Sequence, residues 1–215
     1  MPILDHLREL RSRVIVCLWC LVLTFFVSFF FANDIFAVIS APMNDALNET
    51  GRGTLAVTEA MEGFMVQMKV SALAAIFVSA PVLSYQTWRF VAPALYDQEK
   101  RWAVPLMLAS TSLFVAGAAF AYFVVFRLGF PVFLEMNGEG ITAVLSIQSY
   151  LSFATTLMVA FGAAFQLPVV IYFLARIGLI DHLDLIRGFR YSIVIIFVVA
   201  AILTIATVLN LPAGK

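Results

Sequence analysis

Five long segments of this 215-residue chain contain no Asp, Glu, Lys or Arg. They are residues 14–33, 70–88, 102–126, 140–175 and 191–214. A helix needs about 20 apolar residues to cross the hydrocarbon layer of a bilayer, so each segment is long enough for one span. The fourth segment begins with Gly, Thr, Ser and Gln, and we expect a loop there before its helix. Because the segments do not alternate apolar and polar residues, they favour helices over the strands of a barrel.

The composition agrees with a lipid-facing surface. The chain is 63% hydrophobic and 12% charged, whereas an average globular chain is about half apolar and a quarter charged. So short a chain cannot bury that much apolar surface in its own core. We therefore predict an all-α polytopic membrane helical bundle with five transmembrane helices, forming a single domain over residues 1–215. The predicted spans are about residues 14–36, 64–86, 102–126, 149–175 and 191–210.

The charges indicate how the chain is oriented and exclude one class of partner. Nine of the 13 Lys and Arg residues flank the predicted spans on one side of the membrane. By the positive-inside bias, this side is the cytoplasm, so the N-terminus is predicted to be cytoplasmic and the C-terminus external. The 13 acidic residues cancel the 13 basic ones, so there is no electrostatic footprint for nucleic acid.

The first 13 residues are predicted to form a short interfacial amphipathic helix. Apolar residues recur there at spacings of three and four, and charged residues occupy the other positions. Glu9 lies four residues before Arg13. The simplest interpretation of Glu9 is a surface ion pair with Arg13, worth about 0.3 to 0.5 kcal/mol. The alternative is that its carboxylate binds a ligand.

The segment between the second and third spans contains three aromatic residues, a proline and a cluster of charges. Within it, Glu99 stands near the first turn of the third span, where the helix dipole favours a carboxylate. The functional alternative is that Glu9 and Glu99 come together on the cytoplasmic face. Two carboxylates there would bind guanidinium groups through paired hydrogen bonds.

The sequence does not place the residues that a membrane enzyme needs in suitable positions. Cys17 and Cys20 form a C-x-x-C within an apolar span, and two thiols cannot complete a zinc site. The two histidines, His6 and His182, lie in terminal or loop segments, so no haem ligation within the membrane is expected. Asp34 is alone at one end of the first span, and no ATP-binding motif occurs. We predict a protein that is not an enzyme and has no metal or cofactor.

Lys69 supports a different hypothesis. It is the one basic residue at possible bilayer depth, and it could reach the external surface or pair with Glu59 or Glu62. A small-solute transporter or channel subunit would use such a residue. Transporters commonly contain repeats and several interrupted helices, whereas this chain shows no repeat and only one interrupted span, the fourth.

Several motifs resemble those of the TatC family, the polytopic subunit of the twin-arginine protein translocase. They are HLRELRSR at 6–13, WRFVAPALYDQEKR at 88–101, GAAFAYFVVF at 117–126, SYLSF at 149–153 and AFGAAF at 160–165. The similarity covers nearly the whole chain in order and with matching topology. It implies a core translocase subunit that binds twin-arginine signal peptides at its cytoplasmic face.

The resemblance also implies roles for particular residues. Glu9 and Glu99 would contact the paired arginines of a signal peptide, and Arg11 and Phe90 would shape the same site. The implied partners are signal peptides of folded cargo and single-span Tat subunits in an oligomeric complex, driven by the proton-motive force. The implied location is the bacterial cytoplasmic (inner) membrane.

The chain departs from the family pattern at two places. Gln166 stands in the fourth span where the family often has a glutamate, and it precedes Pro168. We leave two roles open for Gln166: contact with a partner helix, or hydrogen bonds to carbonyl groups freed by the proline. The family has six spans, whereas five are predicted here, so the sequence is either shortened or divergent at its C-terminus.

Overall fold

The computed structural model describes residues 3–51, 53–91, 103–135 and 143–176. Glu99 and the fifth predicted span, residues 191–210, lie outside these ranges. The helices are α1 (Ile3–Phe30), α2 (Ala32–Thr50), α3 (Glu62–Val91), α4 (Ala103–Phe120), a π-helical segment (Ala121–Phe126), α5 (Arg127–Glu135), α6 (Ile147–Ala164) and α7 (Leu167–Arg176). The two short strands are β1 (Gly53–Ala56) and β2 (Ala143–Ser146).

Four stretches of the described chain are long and apolar enough to cross a membrane. They are Leu7–Phe30, Glu62–Phe90, Val104–Leu134 and Ile147–Ala175. Large apolar side chains stay exposed along them, as with Trp19 at 63% and Phe30 at 86%. Such a surface is stable in lipid and not in water. The fold is an all-α polytopic membrane bundle, as predicted.

The start of the chain differs from the prediction in one respect. Residues 3–30 form one continuous helix, and not an interfacial helix followed by a separate span. The segment contains no Gly or Pro after Pro2, so nothing in it interrupts the helical hydrogen bonds. The helix ends at Phe30, six residues before the predicted end at 36, and Phe31 leaves the helical conformation with φ −104° and ψ 11° before α2 begins.

The helices of residues 1–167 pack as one compact unit, in which α3 packs against α1, α4 and α6, and α4 against α6. The α4–α6 crossing is very close. A Cβ added at Gly117 would lie 2.5 Å from the carbonyl oxygen of Phe161, and one at Gly162 would lie 2.7 Å from the ring of Phe114. Glycine is therefore required at Gly117, where a Cβ would meet a backbone atom as the two helices approach. At Gly162 the Phe114 side chain would have to shift to accept a Cβ.

We call the end of the unit that carries α2, the two strands and α5 the capped end. Most of the buried apolar cluster lies there, contributed by α2, α3, α5 and α6. Pro42 lies within α2 and has no N–H, so it cannot bond the carbonyl of Val38 four residues earlier. The Tyr122 hydroxyl donates to that carbonyl over 2.7 Å, and the Tyr150 hydroxyl donates to the next carbonyl, of Ile39, over 2.6 Å. Two tyrosines thus hold α2 where the proline weakens it.

The capped end also contains the two strands, which were not predicted from the sequence. β1 and β2 pair in parallel, with Gly53 opposite Ala143 and Ala56 opposite Ser146. Each strand is four residues long, too short for a recognisable alternation of apolar and polar residues. The pairing brings the start of α3 next to the start of α6.

A second compact unit begins at Pro168, and residues 168–176 are its described part. They continue α7, which starts at Leu167 after a turn at Phe165 and Gln166. The interruption follows from Pro168, since the residue four positions earlier, Ala164, is where α6 ends.

Candidate functional site

The candidate site lies at the end of the unit opposite the capped end, where α1 begins and α3 ends; we call it the N-terminal end. Arg13 pairs there with Glu9, one turn earlier in α1. Its Nε donates to Glu9 Oε1 over 3.1 Å, and its Nη2 contacts the same oxygen in a short ion pair. The ion pair predicted from the i, i+4 spacing is confirmed.

The same arginine joins α1 to α3. Arg13 Nη1 donates to Gln86 Oε1 over 3.2 Å, across 73 residues of sequence. The side chain of Arg13 is 15% exposed and that of Glu9 is 32% exposed. The carboxylate is therefore accessible to solvent, whereas the arginine that neutralises it lies mostly between the two helices.

Phe90 and Arg11, the other two described residues expected here, occupy different positions. Phe90 is half-buried in the last turn of α3, four residues after Gln86 and therefore on the same helix face. Gln86 on that face bonds Arg13, and the role of Phe90 in the site stays a prediction. Arg11 is exposed and lies two residues from Glu9, a spacing that turns the two side chains to different faces of α1.

Glu99 lies outside the described residues, in the stretch between α3 and α4. The predicted meeting of Glu9 and Glu99 stays a prediction. The described chain ends at Val91 on one side of that stretch and resumes at Ala103 on the other, so the two helices that flank it both belong to the bundle.

Gln166 lies in a polar network that links three helical segments. Its Nε2 donates to the carbonyl oxygen of Ser110 in α4 over 2.8 Å. The Ser110 hydroxyl in turn accepts from the Trp88 indole of α3 over 2.7 Å. The amide thus bonds a neighbouring helix of its own chain and not a carbonyl next to Pro168. Its contact with a helix of another subunit stays a prediction.

Three residues that connect helices in this region were not predicted from the sequence: Gln86, Trp88 and Ser110. Trp88 is 8% exposed and Ser110 is 3% exposed. A tryptophan at the end of a span is typical of the headgroup belt. In the sequence, a buried tryptophan that donates a hydrogen bond looks the same. Only the docking of α3 on α4 shows the difference.

Lys69, on which the transporter hypothesis depended, does not pair with Glu62. Its Nζ donates to Ser152 Oγ of α6 over 2.6 Å. The Glu62 carboxylate is 1% exposed and accepts hydrogen bonds from the residues around it. These are the Thr58 N–H and hydroxyl, the Glu59 N–H, the Ser146 hydroxyl and the Gln148 N–H. Glu62 therefore connects the start of α3 to the start of α6.

Comparison with known proteins agrees with the motifs. A family model for the Sec-independent protein translocase protein (TatC) matches residues 5–212. The chain is 42% identical over 204 residues to the Sec-independent protein translocase protein TatC of Azotobacter chroococcum mcd 1, covering 95% of this chain and 79% of that protein. It is 40% identical over 203 residues to the protein of the same name from Escherichia coli (strain K12), covering 94% of this chain and 78% of that protein.

The fold is similar to that of solved structures as well. The crystal structure of the twin-arginine translocase receptor TatC in DDM matches with a TM-score of 0.82 and 38% identity, covering 92% of this chain and 87% of that chain. A second crystal structure of the twin-arginine translocase receptor TatC matches with a TM-score of 0.79 and 39% identity. Sequence, motifs and fold agree, and the chain belongs to the TatC family of Sec-independent protein translocase proteins.

Proposed function

We propose that this chain is the subunit of a twin-arginine translocase that binds the paired arginines of signal peptides at its N-terminal end. The observation that carries the proposal is the Glu9 carboxylate. It already accepts two hydrogen bonds from a guanidinium group and is 32% exposed. A carboxylate that holds an arginine in the folded chain is positioned to hold an arginine of a ligand.

Glu99 would supply the second carboxylate, so that each arginine of the signal has one acceptor. The placement of Phe90 supports this arrangement, because it continues the same face of α3 beyond Gln86 towards the segment that contains Glu99. Arg11 is too exposed and too far round α1 to act on Glu9 directly. We assign it to contacts with other parts of the peptide or with the membrane surface.

The apolar part of a signal peptide would follow a row of side chains on α3. Val78, Val82, Gln86 and Phe90 are spaced by four residues and form one ridge of the helix. Val78 is 62% exposed and Val82 is 37% exposed. A peptide bound by its arginines at Glu9 could place its apolar segment against this ridge and remain within the lipid.

We further propose that the N-terminal end faces the cytoplasm of a bacterial inner membrane. Arg8, Arg11, Arg13 and Arg89 all lie at this end of the described structure, which supports the orientation predicted from the positive-inside bias. The role is recognition and scaffolding, without enzymatic chemistry of its own. Single-span Tat subunits would assemble on the exposed spans, and Gln166 is a candidate contact for one of them.

Peptide binding to the full chain in nanodiscs tests this proposal. We expect Glu9→Ala and Glu99→Ala each to weaken the binding of a twin-arginine signal peptide by about tenfold or more, since each removes a charge-assisted hydrogen-bond pair worth about 1.5 to 3 kcal/mol. Membrane insertion should not change. Glu49→Ala is the matched control, because Glu49 is an exposed carboxylate at the capped end.

Unchanged peptide binding in the Glu99→Ala chain would contradict the two-carboxylate site. Complementation of cells that lack their own TatC protein measures the same variants in the assembled translocase. There the Glu49→Ala chain should restore export, and the Glu9→Ala and Glu99→Ala chains should restore less of it.

A further inference from the structure

We propose that Lys69 and Ser149 bind the phosphate of an anionic phospholipid, in the leaflet at the capped end of the bundle. Lys69 is the only charged residue between Gln67 and Gln86 of α3, and the peptide-binding role proposed above does not use it. Three features point to a lipid ligand: the depth of Lys69 in the membrane, the lack of a carboxylate bonded to it, and the apolar surface around it.

The two glutamines, 19 residues apart in α3, mark the depth of Lys69. At about 1.5 Å per residue their separation is about 28 Å, close to the thickness of the hydrocarbon layer. Gln67 bonds Asn33 at the start of α2, which agrees with a polar boundary there. Lys69 follows Gln67 by two residues, and the side chains of a helix tilt towards its N-terminus. The ammonium group therefore lies near the level of the lipid headgroups at the capped end.

Lys69 bonds no carboxylate in the part of the chain that the structure describes. Its Nζ donates to Ser152 Oγ over 2.6 Å. Glu62, two turns earlier in α3, already accepts hydrogen bonds from five other donors. An ammonium group has three N–H donors, so two of them remain for a ligand. A positive charge at the membrane boundary is stabilised by an anion at the same level.

Apolar side chains are exposed on α3 between Lys69 and the capped end. Met65 lies one turn before Lys69 on the same helix face, and it is exposed, as are Phe64 and Met61 nearer the start of the helix. Such a surface is stable in contact with lipid and not with bulk water. The anion within reach of Lys69 is therefore the phosphate of a phospholipid, whose acyl chains can pack against Met65.

Ser149 offers the phosphate a second hydrogen-bond donor. It precedes Ser152 by three residues in α6 and shares its helix face, so its exposed hydroxyl lies on the Lys69 side. The Ser152 hydroxyl donates to the carbonyl of Gln148, whereas the Ser149 hydroxyl donates to none of the described residues. A phosphate diester can accept from both the ammonium group and this hydroxyl. A lipid with net negative charge is preferred, since a choline group would bring a second cation close to Lys69.

A photo-crosslinking probe at Met65 tests the site in the full chain. The protein carries p-benzoylphenylalanine at this position, in nanodiscs of equal parts phosphatidylglycerol and phosphatidylcholine. Mass spectrometry gives the ratio of the two lipid adducts. We expect phosphatidylglycerol to be enriched about five- to tenfold at Met65, relative to the same probe at Phe30. Phe30 is the control position because it is exposed at the end of α1 that leads into the capped end.

Substitutions identify the groups that cause the enrichment. Lys69→Met should lower the adduct ratio at Met65 to the value at Phe30, and Lys69→Arg should retain the enrichment because the charge is kept. Ser149→Ala should lower it about two- to threefold, since one neutral donor is lost. Arg127→Met is the matched control: it removes an exposed cation of α5 at the same end and should leave the ratio unchanged.

An excess of glycerol phosphate distinguishes a phospholipid site from a site for any phosphate, and it should not lower the enrichment. The proposal is overturned if Met65 and Phe30 give equal ratios in the chain that retains Lys69, since Lys69 then contacts no particular lipid. It is also overturned if Lys69→Met keeps the enrichment, if Arg127→Met removes it equally, or if glycerol phosphate displaces the lipid. In membranes with the complete translocase, reaction of the Met65 probe with a partner protein in place of lipid would likewise contradict it.

Discussion

Two glutamates at opposite ends of the bundle show how the source of the hydrogen-bond donors decides what a carboxylate can do. Glu62 at the capped end is 1% exposed, and all of its donors are backbone N–H groups or hydroxyls that the fold fixes in place. Glu9 is 32% exposed and is bonded by the flexible side chain of Arg13. Glu62 is therefore part of the structure, whereas Glu9 has a partner that a ligand can replace.

The same contrast extends to the rest of the two ends. At the capped end, tyrosine hydroxyls bond backbone carbonyls of α2, and two strands pair beside α3 and α6. At the N-terminal end, the connections between helices run through side chains of Arg13, Gln86 and Gln166. Side-chain contacts exchange partners far more readily than backbone pairs, and the recognition site that we propose is at the end where they predominate.

The largest expected effect is the loss of the buried carboxylate. Glu62→Ala leaves donors without an acceptor at the start of both α3 and α6, and we expect it to lower the free energy of unfolding by about 3 kcal/mol. Unfolding by SDS titration of the protein in mixed micelles measures this. Glu59→Ala is the control, because Glu59 is exposed and contributes its backbone N–H, which the substitution retains. If the two variants are equally stable, Glu62 does not have the structural role described here.

The next effect concerns the helix crossing that connects the two ends. Gly117→Ala places a methyl group against the backbone oxygen of Phe161, and overpacking of this kind costs about 1 to 3 kcal/mol. Gly63→Ala is the matched change, since a Cβ there has no atom within 4 Å. We expect Gly117→Ala to unfold at lower SDS concentration and Gly63→Ala to be unchanged or slightly more stable. The reverse order would mean that α4 and α6 do not pack as described.

A smaller effect is expected at the proline of α2. Tyr122→Phe leaves the Val38 carbonyl without its donor and should lower the free energy of unfolding by about 1 kcal/mol. Pro42→Ala restores an N–H four residues after Val38, so Tyr122→Phe should cost less in the Pro42→Ala background. A double-mutant cycle on unfolding measures the difference. If the two changes add without interaction, the tyrosine does not compensate for the proline.

The smallest effect on stability completes the comparison. Glu9→Ala should change the free energy of unfolding by about 0.5 kcal/mol or less, because the ion pair is partly exposed and within one helix. Yet we expect it to weaken signal-peptide binding by about tenfold or more. Unfolding and peptide binding of the same preparation give both values. A large loss of stability would mean that Glu9, like Glu62, mainly stabilises the fold.

Much of the fold was predictable because its signals are local. Four of the predicted spans coincide in large part with the four candidate spans of the described chain, and the Glu9–Arg13 pair follows from helical spacing alone. The single helix over residues 3–30 was missed because charged and apolar residues suggested two environments, although no residue there breaks a helix. The two strands were missed because four residues are too few to show the alternation of apolar and polar side chains that marks a strand.

For the candidate site, the motifs name Glu9, Arg11, Phe90 and Gln166, and the roles of these residues in recognition stay predictions. Their partners within the fold were not predictable. Gln86 meets Arg13 across 73 residues of sequence, and Gln166 meets Ser110 across 56. Neither pairing leaves a pattern in the sequence, because it depends on which helix faces meet.

The sequence by itself thus determined that this protein spans a membrane with helices, that it belongs to a translocase family, and which carboxylates are candidates for recognition. These properties follow from apolar length, helical spacing and motifs, all of which are encoded along the chain. Only the tertiary structure decided that Arg13 joins α1 to α3, that Glu62 is sealed in the capped end, and that Gln166 bonds α4. Polar groups in a membrane bundle must find partners inside the protein, and helix docking determines which partners are within reach.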